Sequence, residues 1–120
     1  MNYEIQTEKK EKYLYVQIKG TWNNLNYKKI IMETFQAFLC SNQDKIFIDY
    51  SQLSINSLEN DEMEEGSYAA QIFNEKAIKV AAYSPANLRE SLFFELAAKN
   101  RGLNIKTFTQ KNKALKWLLE

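Results

Sequence analysis

The sequence predicts a single α/β domain with a mostly parallel sheet that begins with an antiparallel hairpin. Two observations predict this class: strand patterns and helix patterns follow one another in the order ββαβαβαβα, and the connections between them are short. The 120 residues, of which 45% are hydrophobic, are enough to bury one core. Because no repeat or Pro/Gly/Ser-rich linker divides the chain, residues 1–120 are expected to form one domain.

The N-terminal elements are predicted from the spacing of apolar residues. Apolar and polar side chains alternate over residues 3–7 and 13–19, and a charged turn between them completes a β-hairpin. From Leu25 to about Asn42 the period changes to three or four residues, which predicts an amphipathic helix. The run at residues 45–50 has an uninterrupted apolar centre, as in a parallel strand that is covered on both faces.

A second helix is predicted over residues 57–73. Ser57 is a favourable N-cap, and the acidic side chains that follow suit the positive end of the helix dipole. The side chains expected to face inward are Met63, Tyr68, Ala69 and Ile72. The apolar run at residues 77–83 predicts the next strand.

Capping residues mark the last two helices. Asn87 is expected to cap a third helix that ends just before Gly102, a residue that suits the left-handed C′ position. The inward face of this helix is expected to carry Leu88, Leu92, Phe93, Leu96 and Ala97. Residues 103–108 form the last predicted strand, and Thr109 is expected to cap the terminal helix.

Three scarce residue types exclude much chemistry. Without histidine the chain cannot form a Ser-His-Asp or Cys-His nucleophile or a histidine-bearing metal site. Its single cysteine, Cys40, cannot form an internal disulfide and is expected to be a small core residue. The three glycines are too scattered for a phosphate-binding loop. We therefore expect a protein that is not an enzyme and has no cofactor and no metal.

Charge and hydropathy limit the partners. Sixteen Lys and Arg against fifteen Asp and Glu leave a net charge of +1, which argues against a nucleic-acid partner. The opening residues lack the pattern of a signal peptide, and no apolar run approaches the roughly 20 residues of a membrane span. We expect a cytoplasmic protein without a transmembrane segment.

The C-terminal third carries the most specific pattern. A strand that closes in Phe108 leads to a helix with the sequence Ala114-Leu115-Lys116-Trp117-Leu118. These residues resemble the end of the STAS/SpoIIAA-like family, and the order of elements matches over essentially the whole chain. The resemblance implies the fold of anti-anti-sigma factors, stressosome components and transporter-associated regulatory domains. It also implies similarity to the Sec14-like lipid-binding fold.

The family's phosphorylated Ser or Thr stands at the start of the second helix, within Asp-Ser-Ser-Gly. Here Asp49-Tyr50-Ser51-Gln52-Leu53 resembles the family's Asp-Leu-Ser-x-Val, whereas residues 55–59 lack the phosphorylation motif and are one residue short. Ser57 is the nearest positional match and Ser54 is the next candidate. Each could be a phosphorylation site, or simply a capping or turn residue.

The surface expected to bind a partner surrounds this loop and comprises Asp49, Ser51, Glu59, Asp61 and Glu62. A simpler interpretation of the acidic run at residues 59–65 is a solvated helix face. Trp22, Tyr27 and Phe94 are expected to form an exposed patch, and the edge of the hairpin favours a homodimer. The leading hypothesis is a non-enzymatic regulatory or scaffold domain that binds an unidentified protein. The alternative is a small hydrophobic ligand or lipid-binding protein.

Overall fold

The computed structural model describes residues 2–55, 61–73 and 77–120. Their elements, in chain order, are β1 (Tyr3–Lys9), β2 (Leu14–Trp22), α1 (Tyr27–Ser41), β3 (Lys45–Asp49), β4 (Leu53–Ile55), α2 (Glu62–Phe73), β5 (Lys79–Tyr83), α3 (Leu88–Asn100), β6 (Asn104–Phe108) and α4 (Lys111–Leu119). The strand β4 is not among the predicted elements, because three residues are too few to show a period. Strand β2 also runs three residues beyond its predicted end.

The strands form one sheet in the order β1-β2-β3-β5-β6, with β4 beside β2. Only β1 and β2 pair antiparallel, and the other described pairings are parallel. Strand β2 pairs with β3 along its first half and with β4 along its last three residues. The chain therefore leaves the sheet at the end of β3, turns over residues 50–52 and re-enters the sheet as β4. The predicted fold class is confirmed.

Helices cover both faces of the sheet. The larger core contains buried side chains from α1, α2 and α3, and the smaller core lies under α4. The central strand β3 serves both cores, because Ile46 and Ile48 belong to the larger one and Phe47 to the smaller one. The prediction that this strand is covered on both faces is confirmed.

Helix α1 buries the predicted apolar stripe up to Phe38 and then departs from the prediction. Leu39 and Cys40 are exposed, although they were expected to face inward. Cys40 follows Phe38 by two residues, and at 3.6 residues per turn that places it on the opposite side of the helix. Asn42 then ends the helix in the left-handed conformation.

The aromatic patch predicted to be exposed lies instead in the core. Trp22 and Tyr27 are buried and Phe94 is half-buried, and the Trp22 ring meets the Phe94 ring edge-on at 5.9 Å. The reason is the extension of β2, which carries Trp22 under α3. A strand ending at residue 19, as predicted, would have left this side chain in a loop.

Most of the predicted inward face of α3 is exposed. Leu88, Leu92, Phe93 and Leu96 are 38–50% exposed, whereas Ala97 is buried as predicted, together with Ser91 and Ala98. The cause is the close approach of α2, since a Cβ atom on Gly66 would lie 2.9 Å from the Cβ atom of Ala97. Only small side chains fit where α2 and α3 touch. Phe94 packs against the core beside Trp22, and the other large apolar side chains of α3 face solvent.

The predictions of the helix caps and of the inward face of α2 are confirmed in part. The Asn87 side chain donates to the carbonyl of Leu53 instead of capping α3, and Gln110 rather than Thr109 precedes α4. Gly102 has the expected positive φ, and Ser57 lies outside the described residues. On α2, Ala69 is buried and Tyr68 and Ile72 pack against the core, whereas Met63 is exposed.

Candidate functional site

The turn after β3 is built around a buried carboxylate. Asp49 is 4% exposed, and it accepts hydrogen bonds from the Tyr15 hydroxyl at 2.5 Å and from the Ser51 backbone N–H at 2.8 Å. Burial alone would raise the pKa of Asp49, but these hydrogen bonds and the charge of Lys111 outweigh burial and hold the pKa below its usual value. Asp49 was expected to contact a partner, whereas its carboxylate faces inward and shapes the turn.

The other predicted site residues are spread over this edge of the sheet. Ser51 is half-buried in the turn, and Ser54 is exposed in β4, where it pairs with Thr21 of β2. Asp61 is exposed, and its carboxylate accepts a hydrogen bond from the backbone N–H of Glu64 at 3.1 Å. Glu62 is half-buried. Ser57 and Glu59 lie outside the described residues.

The acidic run is solvated only in part. Asp61 and Glu64 are exposed as expected, but Glu65 is only 2% exposed. The sequence did contain a signal for this burial, because Glu65 stands four residues before Ala69 and eight before Phe73, on the stripe of α2 that faces the core. The expectation of a uniformly solvated face is therefore wrong at Glu65.

Glu65 lines a small cavity at the carboxyl ends of the parallel strands. This cavity has a volume of about 20 Å³, and the side chains of Trp22, Tyr50 and Phe94 form part of its wall. Trp22 donates a hydrogen bond to the Glu65 carboxyl group. The other carboxyl oxygen, Oε2, has no hydrogen-bond partner among the described residues.

The setting of Glu65 changes its acidity. Burial raises the pKa of this carboxyl group, the Trp22 hydrogen bond lowers it, and the charges of Glu62, Asp61 and Glu64 raise it; the net pKa is about 7. Glu65 therefore changes its charge near neutral pH. Sequence analysis missed this group because its desolvation comes from β2 and α3, which are distant in the sequence.

A second feature lies on the outer surface of α3. We call the exposed side chains of Leu88, Leu92, Phe93 and Leu96 the α3 apolar stripe. Its members recur at four-residue intervals from residue 88, with Phe93 beside them, so they share one side of the helix. The Arg89 guanidinium lies 5.4 Å from the centre of the Phe93 ring. Asp61 stands just before the adjacent helix α2, whose first turn carries Glu62 and Glu64.

The described part of the chain has neither a metal-binding cluster nor a membrane-spanning helix. No group of three or more His, Cys, Asp and Glu side chains is arranged to hold a metal ion. None of the described helices combines the length and the apolar character needed to cross a membrane.

The sheet order and the placement of the helices define the STAS/SpoIIAA-like fold, as the sequence resemblance predicts. Solved structures share this fold over nearly the whole chain. An anti-sigma factor antagonist from Mycobacterium paratuberculosis superimposes with a TM-score of 0.66 at 14% identity, covering 98% of this chain and 95% of the other. SpoIIAA in its unphosphorylated form, also an anti-sigma factor antagonist, gives a TM-score of 0.60 at 12% identity, with 97% and 96% covered.

A third similar structure is an uncharacterised protein with a SpoIIAA-like fold from Shewanella loihica, with a TM-score of 0.57 at 21% identity and 98% and 94% of the two chains covered. No protein-family model matches the chain, and no curated protein matches it. At these identities the likeness concerns the fold, and function has to be argued from the site.

Proposed function

We propose that this chain is a non-enzymatic regulatory or scaffold domain of the cytoplasm that acts by binding another protein. The α3 apolar stripe carries the proposal, because four large apolar side chains on one exposed helix face are unusual for a surface without a partner. The fold supports it further, since similar structures include anti-sigma factor antagonists.

The energetics of the stripe suit a protein contact. Full burial of a Leu or Phe side chain contributes about 1.5–3 kcal/mol, and each stripe member is 38–50% exposed. Covering all four would therefore contribute on the order of 4 kcal/mol before the cost of association. That is a useful centre for an interface, surrounded by polar side chains.

The neighbouring charges indicate the kind of partner. Asp61 precedes α2, the first turn of α2 carries Glu62 and Glu64, and α3 contributes Glu90. An apolar partner surface with basic side chains at its edge would complement this arrangement. Phosphorylation of Ser54 or Ser57 would add negative charge to the chain and is the proposed means of regulation.

The test compares three versions of the full chain as bait in its own host. Leu92→Glu places a charge in the stripe, and Leu39→Glu makes the same change at an equally exposed position on α1, the two side chains being 44% and 42% exposed. A partner that binds the wild type and the Leu39 variant but not the Leu92 variant is the expected result. A partner set that is the same for all three versions would overturn the stripe as the interface.

The alternative, a carrier of a small hydrophobic ligand or lipid, has less support. The two apolar cavities between the sheet and its helices have volumes of about 20 Å³ each. Pockets for small molecules usually measure about 300–1,000 Å³. A stoichiometric apolar ligand in native mass spectra of gently purified protein would favour the carrier instead.

An exposed surface can also bind a second copy of the same chain and form a homodimer. The edge of β1 and the α3 apolar stripe could each meet a second copy. Light scattering across protein concentration distinguishes the two cases, since a dimer mass that falls to a monomer mass in Leu92→Glu would assign the stripe to self-association.

A further inference from the structure

The carboxyl group of Glu65 is buried with little compensation for a negative charge. Glu65 is 2% exposed, Trp22 donates one hydrogen bond to it, and its Oε2 atom has no hydrogen-bond partner within the described ranges. An ionised carboxylate is a stronger acceptor than a neutral carboxyl group and loses more when it is removed from water without donors. The packed structure therefore suits protonated Glu65 better than ionised Glu65.

The charges around Glu65 act in the same direction. Asp61, Glu62 and Glu64 are its acidic neighbours along the chain, and their charges oppose a further charge on Glu65. From the next helix, Glu90 of α3 lines the cavity beside Glu65. Like charges on two elements therefore surround this carboxyl group.

The other elements packed around Glu65 do not supply a compensating cation. Lys28 of α1 shares an outer groove with Glu65, but its ammonium group lies 5.4 Å from the centre of the Tyr68 ring and is in none of the described ion pairs. Burial raises the pKa of the Tyr27 and Tyr50 hydroxyl groups, so both stay uncharged at neutral pH. Strands β4, β5 and β6 line the cavity with uncharged side chains: Leu53, Ile55, Ala82, Ile105 and Thr107.

Glu65 stands where α2 can open locally. It lies in the first turn, which is held by hydrogen bonds from the Glu64 N–H to the Asp61 carboxylate at 3.1 Å and from the Glu65 N–H to the Asp61 carbonyl at 3.0 Å. Gly66 follows directly, and glycine weakens a helix interior. Because Gly66 itself is held closely against α3, the turn before it can unwind while the rest of α2 stays packed.

We propose that Glu65 makes the first turn of α2 a proton-dependent element. While Glu65 is protonated, the turn stays packed against Trp22 and the sheet. Once Glu65 is ionised, the turn opens to solvent more readily, because water can then surround the charged carboxylate. The ligand of this site is the proton, and the inference does not depend on the α3 apolar stripe or on its partner.

The size of the effect follows from linkage. Burial raises the pKa of Glu65, the Trp22 hydrogen bond lowers it and the acidic neighbours raise it, to a net value of about 7 against 4.5 for an ordinary glutamate. In an open turn the side chain is hydrated and titrates as an ordinary glutamate. The equilibrium constant for opening is therefore expected to rise roughly tenfold between pH 6 and pH 8.

Amide hydrogen exchange of the full chain, followed by NMR, measures this opening. The Glu65 N–H donates to the Asp61 carbonyl at 3.0 Å and the Ala114 N–H to the Gln110 carbonyl at 3.1 Å, at matched positions in the first turns of α2 and α4. After correction for the intrinsic effect of pH on exchange, protection of the Glu65 amide should fall roughly tenfold from pH 6 to pH 8. Protection of the Ala114 amide should stay within twofold.

Two results of this experiment would overturn the proposal. An equal loss of protection at Glu65 and Ala114 would assign the effect to unfolding of the whole domain. A Glu65 amide that is already unprotected at pH 6 would show that the turn is not packed when Glu65 is protonated.

A variant and its matched control identify the titrating group. Glu65→Gln keeps the shape of the side chain and cannot ionise, so protection of residue 65 should become the same at pH 6 and pH 8. Glu64→Gln removes an exposed charge from the adjacent position and should retain most of the tenfold response. A tenfold loss that persists in Glu65→Gln would assign the response to another group.

The protonation of Glu65 is measured separately from the opening. The carbon-13 chemical shift of its side-chain carboxyl group should titrate with a midpoint close to 7, whereas a midpoint close to 4.5 would overturn the inference. Protein binding through the α3 apolar stripe is tested independently by Leu92→Glu.

Discussion

Gly66 of α2 lies so close to α3 that a Cβ atom added to it would come within 2.3 Å of the backbone carbonyl oxygen of Phe94. Backbone cannot move aside as the end of a flexible side chain can. The contact therefore holds the two helices at a distance that only small residues such as Ala97 tolerate, and the four side chains of the α3 apolar stripe face solvent.

The first prediction follows from this contact. Gly66→Ala should destabilise the protein by about 1–3 kcal/mol, because the overlap with the Phe94 carbonyl outweighs the roughly 1 kcal/mol by which alanine favours a helix. Urea unfolding measures the change. Gln71→Ala, at an exposed position of the same helix, should be neutral or slightly stabilising, and a stabilised Gly66 variant would contradict the close approach.

The second prediction concerns the orientation of α3. Leu92→Glu should change the free energy of unfolding by less than about 0.5 kcal/mol, because the side chain already faces solvent. Ala98→Glu, on the buried side of the same helix, should prevent folding or cost more than about 4 kcal/mol. Circular dichroism and thermal unfolding of the two variants check this, and the reverse pattern would restore the orientation predicted from sequence.

The third prediction concerns the pH dependence of stability. The pKa of Glu65 is about 7 in the folded protein, against 4.5 for an ordinary glutamate, so the unfolded chain releases this proton more readily. Its contribution should therefore favour the folded state below pH 4.5 and be lost as the pH rises from 4.5 through 7, by about 3 kcal/mol.

Glu65→Gln isolates this effect. Relative to the wild type, the variant should gain stability between pH 5 and pH 8, as measured by urea unfolding at each pH. Glu64→Gln serves as the exposed control and should run parallel to the wild type. A constant difference between wild type and Glu65→Gln across this range would mean that the Glu65 carboxyl group does not titrate there.

The fourth prediction concerns Asp49, whose pKa is shifted in the opposite direction. Because its folded pKa lies below 3.8, ionised Asp49 stabilises the fold above that pH, and the contribution is lost as the pH falls through the folded pKa. Asp49→Asn should cost about 1–3 kcal/mol at pH 7 and less in acid. Asp44→Asn, at an exposed position just before β3, should cost little, and an equal loss in both variants would argue against the buried turn.

Strand β3 was predicted from an uninterrupted apolar run, because both of its faces are buried. Periodicity was sufficient for the hairpin and α1, because burial of one amphipathic face leaves a regular trace in the sequence. It failed at α3, whose helical extent is right and whose orientation is wrong, because a helix with both small and large apolar residues has two sides that could be buried. The approach of Gly66 from α2 decides between them.

The candidate site also combines features that local sequence predicts with features that depend on the tertiary structure. The turn at Asp49 and the capping of α2 near Asp61 are local, and the sequence pointed to that segment. The burial of Glu65 depends on Trp22 and Phe94, which are 43 and 29 residues away in the sequence and which close over it only when β2 and α3 meet α2. A perturbed carboxyl group of this kind is produced by desolvation, and desolvation is a property of the packed structure.

By itself, the sequence determined the α/β class, the order of most elements and the lack of histidine chemistry and of an internal disulfide, because these depend on residue type and local spacing. Only the tertiary structure decided which side of α3 faces solvent, which aromatic side chains are buried and which of the four described carboxylates at residues 61–65 lies in the core. Those outcomes depend on how closely whole helices can approach one another, and that distance is set by contacts between residues that are remote along the chain.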